Sequence, residues 1–221
     1  MRVACCGYRQ WALEIFDGIR HLSHEFIRVQ TEADATATAL RARNPDLMLF
    51  YGWSSVLPPE VLRIAPCVCL HPSKLPQFRG GSPIQNQIIR GVTESAVTLF
   101  LMTDRLDQGD IVLQRPLSLR GHLDEIFRRL VDVGTSMTTE MLSGSIQATP
   151  QDHSCATYFR RRTPDMSELT LEDLRTKTGE ELYDFIRALE DPYPNAFIRC
   201  SDGTRLLIKR AELARVKTES P

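Results

Sequence analysis

The segment CVCLHPSKLPQFRGGSPIQ contains the residues of this sequence that are best placed to do chemistry. An apolar run, Cys67–His71, ends on a histidine, and Pro72 follows it directly. The proline disfavours helical geometry at His71 and so extends the strand to that residue. In a parallel open sheet, ligands bind beyond the carboxyl ends of the strands. Because side chains alternate along a strand, Cys69 and His71 share one face at the edge where a crevice opens.

The loop after His71 has features that suit ligand binding. Residues 79–81 are Arg-Gly-Gly, and the two glycines let the backbone approach a ligand closely. Ser82 followed by Pro83 predicts the start of a helix, with Ser82 as the N-cap. The unpaired N–H groups of that first turn could also bind an anion.

Three aspartates, Asp104, Asp107 and Asp110, lie close together in the segment DRLDQGD. Extended segments precede and follow them, and Gly109 supplies a turn. A carboxylate beside His71 would fix the orientation of its imidazole, and such a pair suits general acid–base catalysis near neutral pH. From the residues alone, a hydrogen-bonded structural histidine and turn-forming aspartates remain the simpler interpretation.

Alternating strand and helix patterns in the first half of the chain position these residues. Apolar runs predict strands at residues 3–6 and 26–29, at Leu47–Tyr51 and at Cys67–His71, with helical periodicity between them. This alternation predicts an α/β, Rossmann-like fold, in which a mostly parallel sheet is flanked by helices. The turn after the first strand, GYRQWA, lacks the G-x-G-x-x-G fingerprint, which argues against a nicotinamide dinucleotide.

The character of the sequence changes near residue 150. We predict a catalytic domain over residues 1–150 and a small C-terminal element over residues 151–215, which contacts substrate or a second copy. The turn SDGT between two apolar runs indicates a hairpin in this element, after a helix. Residues 216–221 are expected to form a flexible tail.

Composition excludes several functional classes. The 221 residues carry a formal net charge of −1, so no global basic field favours nucleic acid. No apolar run approaches the roughly 20 residues that span a bilayer, and the N-terminus lacks a signal-peptide pattern. We therefore expect a cytoplasmic protein with no membrane partner. The six cysteines lack metal-ligand spacing, so we expect reduced thiols and no metal.

Two motifs together resemble the folate-dependent formyltransferase family. Members of that family resemble one another in N-x-H-P-S-x-L-P-x-[YF]-R-G-x-x-P, followed by L-D-x-G-D-I. This chain has CLHPSKLPQFRGGSP and then LDQGDI at residues 106–111. The resemblance covers most of the chain. The later PYPNAF resembles a C-terminal element of the sugar-nucleotide and methionyl-tRNA branches, whereas FYGWSSVLP, RGGSPIQ and YFRRRTPDMSE look most similar to sugar N-formyltransferases.

The resemblance implies transfer of a formyl group from 10-formyltetrahydrofolate to an amine, with tetrahydrofolate as product. It makes His71 the group that stabilises an oxyanion and handles a proton, and Asp107 the group that tunes His71 and helps proton transfer to the folate nitrogen. It also places the pterin against two segments, whose implied cofactor-binding residues are Ser55, Val56, Leu57, Thr103, Asp104 and Leu106.

One position departs from the family pattern, because the usual asparagine is Cys69 here. An amide offers two donors, whereas a thiol offers one weak donor. Loss of a donor at an oxyanion costs about a hundredfold or more in rate. Either Cys69 is tolerated as a third catalytic residue, or a nearby amide replaces it, or the protein is slow or inactive. The candidate amides are Gln85, Asn86 and Gln87.

The resemblance implies an amino sugar linked to dTDP or UDP as the acceptor, in lipopolysaccharide or O-antigen biosynthesis. In that interpretation Tyr193 stacks on the base, and Arg79 or an arginine from residues 160–162 meets the diphosphate. Gly81, Ser82 and Gln85 complete the substrate site. Methionyl-tRNA formyltransferases carry a further nucleic-acid-binding domain, which we do not expect in this short, non-basic chain. No nucleic-acid partner is therefore expected, whereas a homodimer is. The alternatives are another small amine as acceptor, or a non-catalytic folate or nucleotide binder.

Overall fold

Six strands form the central sheet, and the first four of them are parallel. A computed structural model describes residues 1–214. In chain order the strands of this part of the chain are β1 (Arg2–Cys6), β2 (Glu25–Val29), β3 (Leu47–Tyr51), β4 (Cys67–His71), β5 (Arg79–Gly80), β6 (Glu94–Leu101), β7 (Ile111–Ser118), β8 (Tyr158–Phe159), β9 (Ala196–Arg199) and β10 (Arg205–Ile208). The sheet order is β2-β1-β3-β4-β6-β7, with β6 antiparallel to both neighbours. The predicted mostly parallel, Rossmann-like fold is confirmed.

Helices cover both faces of this sheet. Within residues 1–214 the α-helices are α1 (Gln10–Gly18), α2 (Ala37–Arg43), α3 (Pro59–Leu62), α4 (Pro83–Ile88), α5 (Leu123–Ser143), α6 (Leu171–Thr176) and α7 (Gly179–Arg187). Two short 3-10 helices, His153–Cys155 and Pro164–Ser167, lie between α5 and α6. Buried residues of α1 and α5 share one core, and those of α2 and α3 share another.

The two cores lie on opposite faces of β4. Val68 and Leu70 belong to the core beneath α1 and α5, whereas Cys67 belongs to the core beneath α2 and α3. Because side chains alternate along the strand, Cys69 and His71 project from the same face as Cys67. The strand therefore carries the candidate catalytic side chains on one face and is anchored by leucine and valine on the other.

The antiparallel direction of β6 positions the aspartate-containing loop. Since β6 runs against β4, its end lies beside the start of β4, where the Met102 N–H donates to Cys67 O at 2.8 Å. The chain then turns through residues 102–110 before β7 pairs antiparallel with β6. The sequence predicted both strands, and the structure adds that the loop between them folds back along the face of β4 that carries Cys69 and His71.

The C-terminal residues build a small core of their own against the sheet domain. Leu169, Ile186, Leu189 and Ala196 form this core, and the predicted hairpin is the antiparallel pair β9–β10. Arg187 links this small core to the sheet domain, because its Nη1 donates to Leu119 O and Gly121 O at 2.7 and 2.8 Å. The division at residue 150 and a homodimer remain predictions. Residue 215 and the predicted tail, residues 216–221, lie outside the described residues.

Three further observations bear on the sequence predictions. No helix within residues 1–214 is long and apolar enough to cross a membrane. In the same part of the chain, no three His, Cys, Asp or Glu side chains group closely enough to hold a metal ion. All six cysteines are free thiols.

Candidate active site

His71 lies at the carboxyl end of β4, buried and held by one backbone contact. Its Nε2 is 2.8 Å from Phe78 O. A carbonyl oxygen only accepts, so Nε2 carries the hydrogen. In the neutral imidazole Nδ1 is then the atom with a free lone pair. That Nδ1 lies 3.8 Å from Oδ2 of Asp107.

Asp107 is held in a fixed position by its own backbone and by one donor. Its φ is +53°, the left-handed region that few residues other than glycine adopt. Oδ2 accepts the backbone N–H of Gly80 at 2.7 Å. The structure thus brings His71 and Asp107 together, with the His71 side chain buried and the Asp107 side chain largely shielded from solvent. Their chemical roles remain predictions.

A buried glutamine holds the loop that presents Asp107. The Gln151 side-chain amide donates from Nε2 to Asp107 O at 3.0 Å and to Gly109 O at 2.6 Å. Its Oε1 accepts from Nε and Nη2 of Arg79 at 3.2 and 2.5 Å. Gly109 itself is required, because a Cβ there would lie 1.6 Å from Leu101 O. Gln151 has no motif or periodicity around it, so sequence reasoning missed it.

Two polar side chains of the strands, the buried Thr98 and the half-buried Gln114, hold the loop that follows His71. Thr98 donates to Ser73 O at 2.7 Å and accepts from Gln114 Nε2 at 2.8 Å. Ser73 in turn donates to Gln77 O at 2.8 Å. The Leu75–Pro76 peptide bond in this loop is cis. The signal for Thr98 and Gln114 was available, since each is a polar residue inside an apolar strand.

Cys69 stays a neutral thiol beside the pair. Burial raises its pKa well above the usual thiol value, and the charges of Asp107 and Cys67 raise it further. Of the amides that could replace the missing asparagine, Asn86 donates to Gly81 O and Gln87 donates to Pro72 O.

Gln85 is the exception among these amides. Its Nε2 is buried and has no hydrogen-bond partner within residues 1–214.

A cavity of about 620 Å³ opens on the Cys67 side of β4. Its lining combines apolar and polar groups and includes Leu62, Cys67, Leu101, Met102, Thr103 and Asp110. Among the six residues predicted to bind the cofactor, Thr103 lines this cavity. Ser55 donates instead to Glu32, and Leu57 belongs to the core beneath α2 and α3. The remaining three, Val56, Asp104 and Leu106, are exposed on the surface.

The structure also places the residues predicted to bind substrate. Arg79 is buried and directed inward, because Gln151, Tyr158 and His153 engage its guanidinium at 2.5–3.2 Å. The prediction that Arg79 contacts a diphosphate is therefore wrong. Its buried guanidinium instead holds together the loops that carry Gln151, His153 and Tyr158.

The glycines and Ser82 likewise contact the chain itself. A Cβ on Gly81 would lie 2.4 Å from Cα of Arg161, so the close approach that Gly81 allows is to residues 159–161. Ser82 occupies the N-cap position of α4, as predicted, but its side chain does not cap the helix: its φ is +51° and its hydroxyl accepts the Arg162 N–H at 3.1 Å. Gln85, in the first turn of α4, lies beside Tyr193.

A sequence model of one family, described as formyl transferase, matches residues 10–139, which is more than half of the chain. The chain belongs to the formyl transferase family. This confirms, at the level of the family, the predictions of a folate-dependent one-carbon transferase and of 10-formyltetrahydrofolate as cofactor.

The relatives near 30% identity share one name. The methionyl-tRNA formyltransferase of Desulfotalea psychrophila is 33% identical over 199 residues, which cover 86% of this chain and 60% of the relative. The chain thus spans about 60% of the length of that curated relative. A solved methionyl-tRNA formyltransferase from Clostridium thermocellum is 30% identical with a TM-score of 0.88, covering 97% of this chain and 94% of that one.

More distant solved structures share the fold. A sugar N-formyltransferase from Shewanella is 16% identical with a TM-score of 0.76, covering 97% of this chain and 99% of its own. HypX from Aquifex aeolicus, solved with tetrahydrofolic acid, is 20% identical with a TM-score of 0.80, covering 94% of this chain and 37% of its own. At such identities the likeness concerns the fold alone.

The predicted acceptor was wrong. The relatives near 30% identity are methionyl-tRNA formyltransferases, which contradicts a nucleotide sugar, O-antigen biosynthesis and the exclusion of nucleic acid. Three arguments led to the error. The net charge averages over the whole chain and hides local groups of arginines such as residues 160–162, and the phrases compared with sugar enzymes did not distinguish the two kinds of acceptor. The chain length carried no information about the acceptor.

Proposed function

We propose that this chain transfers a formyl group from 10-formyltetrahydrofolate to the amino group of a methionyl residue esterified to tRNA. Family membership supports the reaction type, and the relatives near 30% identity support the acceptor. The observation that carries the proposal is the meeting of His71 and Asp107 at the carboxyl end of β4.

His71 acts first as a proton acceptor in this proposal. The amine attacks the formyl carbon, a C–N bond forms, and the carbonyl electron pair moves onto oxygen. Nδ1 of His71 takes the proton that the amine loses, because Nε2 already carries a hydrogen fixed on Phe78 O. Neutral His71 therefore has no free N–H for an oxyanion, and it gains one only after this transfer.

Asp107 stabilises the charged state of His71 that follows. Its carboxylate lies 3.8 Å from Nδ1 and is held by the Gly80 N–H, so it needs no rearrangement to face the imidazolium. As the electron pair on oxygen re-forms the carbonyl, the bond between the formyl carbon and the folate nitrogen would break. His71 would then give the proton on Nδ1 to the departing nitrogen and return to its neutral state.

The cavity beside Cys67 fits a flat bicyclic ring such as a pterin. Ligand sites typically measure about 300–1,000 Å³ and combine apolar walls with a few polar groups, as this one does. Cys69 lies two residues further along the same face of β4, so a pterin in the cavity would direct its formyl group towards Cys69 and His71. Thr103, which lines the cavity, remains a proposed contact.

The test is formylation of methionyl-tRNA by the purified chain with 10-formyltetrahydrofolate. The product is detected by mass spectrometry as N-formylmethionine after the ester is cleaved. Methionyl-tRNA with an acetylated amine serves as the blank. We expect His71→Ala to lower the rate by about a hundredfold or more, while the exposed His21→Ala leaves it unchanged. Absence of product from the wild-type chain, with both substrates shown intact, rejects the proposal.

A further inference from the structure

Residues 78–80 contact both members of the proposed catalytic pair. The Phe78 carbonyl oxygen lies 2.8 Å from His71 Nε2, and the Gly80 N–H donates to Asp107 Oδ2 at 2.7 Å. This short segment therefore fixes the imidazole at one end and the carboxylate at the other. Any group that holds the segment in place also acts on the geometry of the pair.

Two acceptors face the ring nitrogens of His71, and a neutral imidazole has only one N–H to donate. Phe78 O lies 2.8 Å from Nε2, whereas Asp107 Oδ2 lies 3.8 Å from Nδ1, which is too long for a hydrogen bond. The contact with Phe78 O therefore decides that Nε2 carries the hydrogen and that Nδ1 keeps the lone pair. If Phe78 O moved away, the negative charge of Asp107 would favour a hydrogen on Nδ1, and the lone pair would move to the opposite nitrogen.

The Phe78 backbone has a conformation that needs support from its surroundings. Its φ is +56°, in the left-handed region that an aromatic residue rarely adopts. Such a conformation persists only where neighbouring groups hold it. The Phe78 N–H donates to Thr157 Oγ1 at 2.8 Å, and the Phe78 ring stacks on that of Phe159 with the centroids 4.9 Å apart. Both supports come from the segment that contains β8.

Thr157 holds the loop after His71 at three points. Besides the contact of its hydroxyl with Phe78, its N–H donates to Pro76 O at 3.3 Å, and its carbonyl accepts the Arg79 N–H at 2.9 Å. The two backbone contacts do not depend on the side chain at this position, whereas the hydroxyl contact needs threonine or serine. The side chain of Thr157 can therefore be changed without detaching the loop.

We propose that Thr157 is a positioning residue that selects the Nε2–H tautomer of His71, acting through the backbone of Phe78. Two hydrogen bonds carry the effect. Thr157 Oγ1 holds the Phe78 N–H, and the carbonyl of Phe78 holds His71 Nε2. The expected effect on rate rests on the proposed function, in which Nδ1 of His71 is the proton acceptor.

Nuclear magnetic resonance reads the tautomer directly. In protein labelled with ¹⁵N-histidine, correlations between ring protons and ring nitrogens show which nitrogen carries the hydrogen, at a pH where the ring is neutral. The His71 signals are those that disappear in His71→Ala. We expect wild type to show the Nε2–H form, and Thr157→Val and Thr157→Ala to gain a clearly detectable fraction of the Nδ1–H form. Thr157→Ser keeps the hydroxyl and should keep the wild-type pattern.

Thr178→Val is the matched control for the loss of a hydroxyl. Like Thr157, Thr178 is exposed and its Oγ1 accepts a backbone N–H, that of Glu181 at 3.2 Å. Thr178 lies at the start of α7, in the C-terminal element. Its substitution should leave both the His71 tautomer and the rate of formylation unchanged.

The same proteins are then assayed for formylation of methionyl-tRNA. We expect Thr157→Val to lower kcat about tenfold or more with little change in KM, because a base held on the wrong nitrogen is misplaced for the proton it must take. Thr157→Ser should restore most of the rate. A changed tautomer with an unchanged rate would support the role of Thr157 and contradict Nδ1 as the base.

The tautomer measurement decides the inference independently of catalysis. An Nδ1–H ring in wild type overturns it, and so does an Nε2–H ring that persists fully in Thr157→Val and Thr157→Ala. If the wild-type chain formylates no methionyl-tRNA, the proposed function fails, while the resonance spectra still decide whether Thr157 selects the tautomer.

Discussion

Oδ2 of Asp107 lies 3.8 Å from Nδ1 of His71, while the same oxygen accepts the backbone N–H of Gly80 at 2.7 Å. The carboxylate is thereby fixed by the main chain and not by the histidine. Its distance to Nδ1 leaves that atom free to take a proton from substrate. Asp107 is therefore a negative charge already in position before the reaction, and it stabilises His71 once the imidazole is protonated.

Asp107→Asn should lower kcat by about 10²–10³-fold with little change in KM for the acceptor. The amide oxygen can still accept the Gly80 N–H, so the loop keeps its position and only the charge is lost. Steady-state kinetics with methionyl-tRNA measures the effect, and Asp104→Asn, an exposed residue of the same loop, is the control. Equal activity of the two variants would contradict a role for the Asp107 charge.

Gln151 should prove to be a positioning residue, and two substitutions separate its effects. Gln151→Ala removes the donors to Asp107 O and Gly109 O and leaves Arg79 without its best acceptor, so kcat should fall about tenfold or more. The free energy of unfolding should fall by about 1–3 kcal/mol, the cost of leaving buried polar groups unpaired.

Gln151→Glu restores an acceptor for Arg79 but cannot donate to the two carbonyls. We expect this variant to recover stability relative to Gln151→Ala without recovering kcat. Urea unfolding and steady-state kinetics on the same preparations give both quantities. Recovery of kcat together with stability would mean that Gln151 acts on the fold in general and not on Asp107.

The sequence predicted the strands of the central sheet and the position of His71 and Asp107 at its edge, because both follow from local patterns. Buried strands and the His-Pro end of β4 are visible in short windows, and so is the Gly109 turn that brings Asp107 round. The orientation of Arg79 was not visible, since its partners Gln151 and Tyr158 are more than 70 residues away. The left-handed backbone of Asp107 likewise depends on long-range contacts that no window contains.

Besides Arg187, a buried hydrogen-bonded pair, His122 and Glu190, links the C-terminal element to the sheet domain. Glu190 accepts from His122 Nδ1 at 2.6 Å and from the Leu123 N–H at 3.1 Å, at the start of α5. Glu190→Gln should lower the free energy of unfolding by about 2–4 kcal/mol, because one of two buried donors loses its acceptor. Glu94→Gln, which breaks an exposed pair with Arg120, should cost less than about 1 kcal/mol. Urea unfolding of both variants measures the difference, and equal costs would contradict this account.

Stability should fall steeply above pH 9 because the fold raises the pKa of four thiols. Burial raises the pKa of Cys5 and of Cys67 from 9.0 to about 12, and it raises the pKa of Cys6 and of Cys69 as well. Each thiol then ionises in the unfolded chain near pH 9 but stays protonated in the folded one. The stabilisation is complete below pH 9 and is lost as the pH rises towards 12.

The predicted slope is about 1.4 kcal/mol per pH unit for each thiol, or about 5 kcal/mol per pH unit for all four. Urea unfolding at pH 8, 9 and 10 under reducing conditions measures it. Cys67→Ala should reduce the slope by about one quarter, whatever it does to stability at pH 8. A slope that is unchanged in that variant would show that Cys67 does not titrate as its burial implies.

Cys69 is the position where this chain departs from its family, and restoring the asparagine should raise activity. The thiol is neutral and a weak donor, whereas an amide would offer a stronger N–H to the developing oxyanion. Cys69→Asn should therefore increase kcat, by about tenfold or more if the amide reaches the reacting oxygen. Cys69→Ala should change kcat by less than about threefold, since a weak donor contributes little. A loss in Cys69→Ala as large as that in His71→Ala, measured with methionyl-tRNA, would instead make the thiol itself essential.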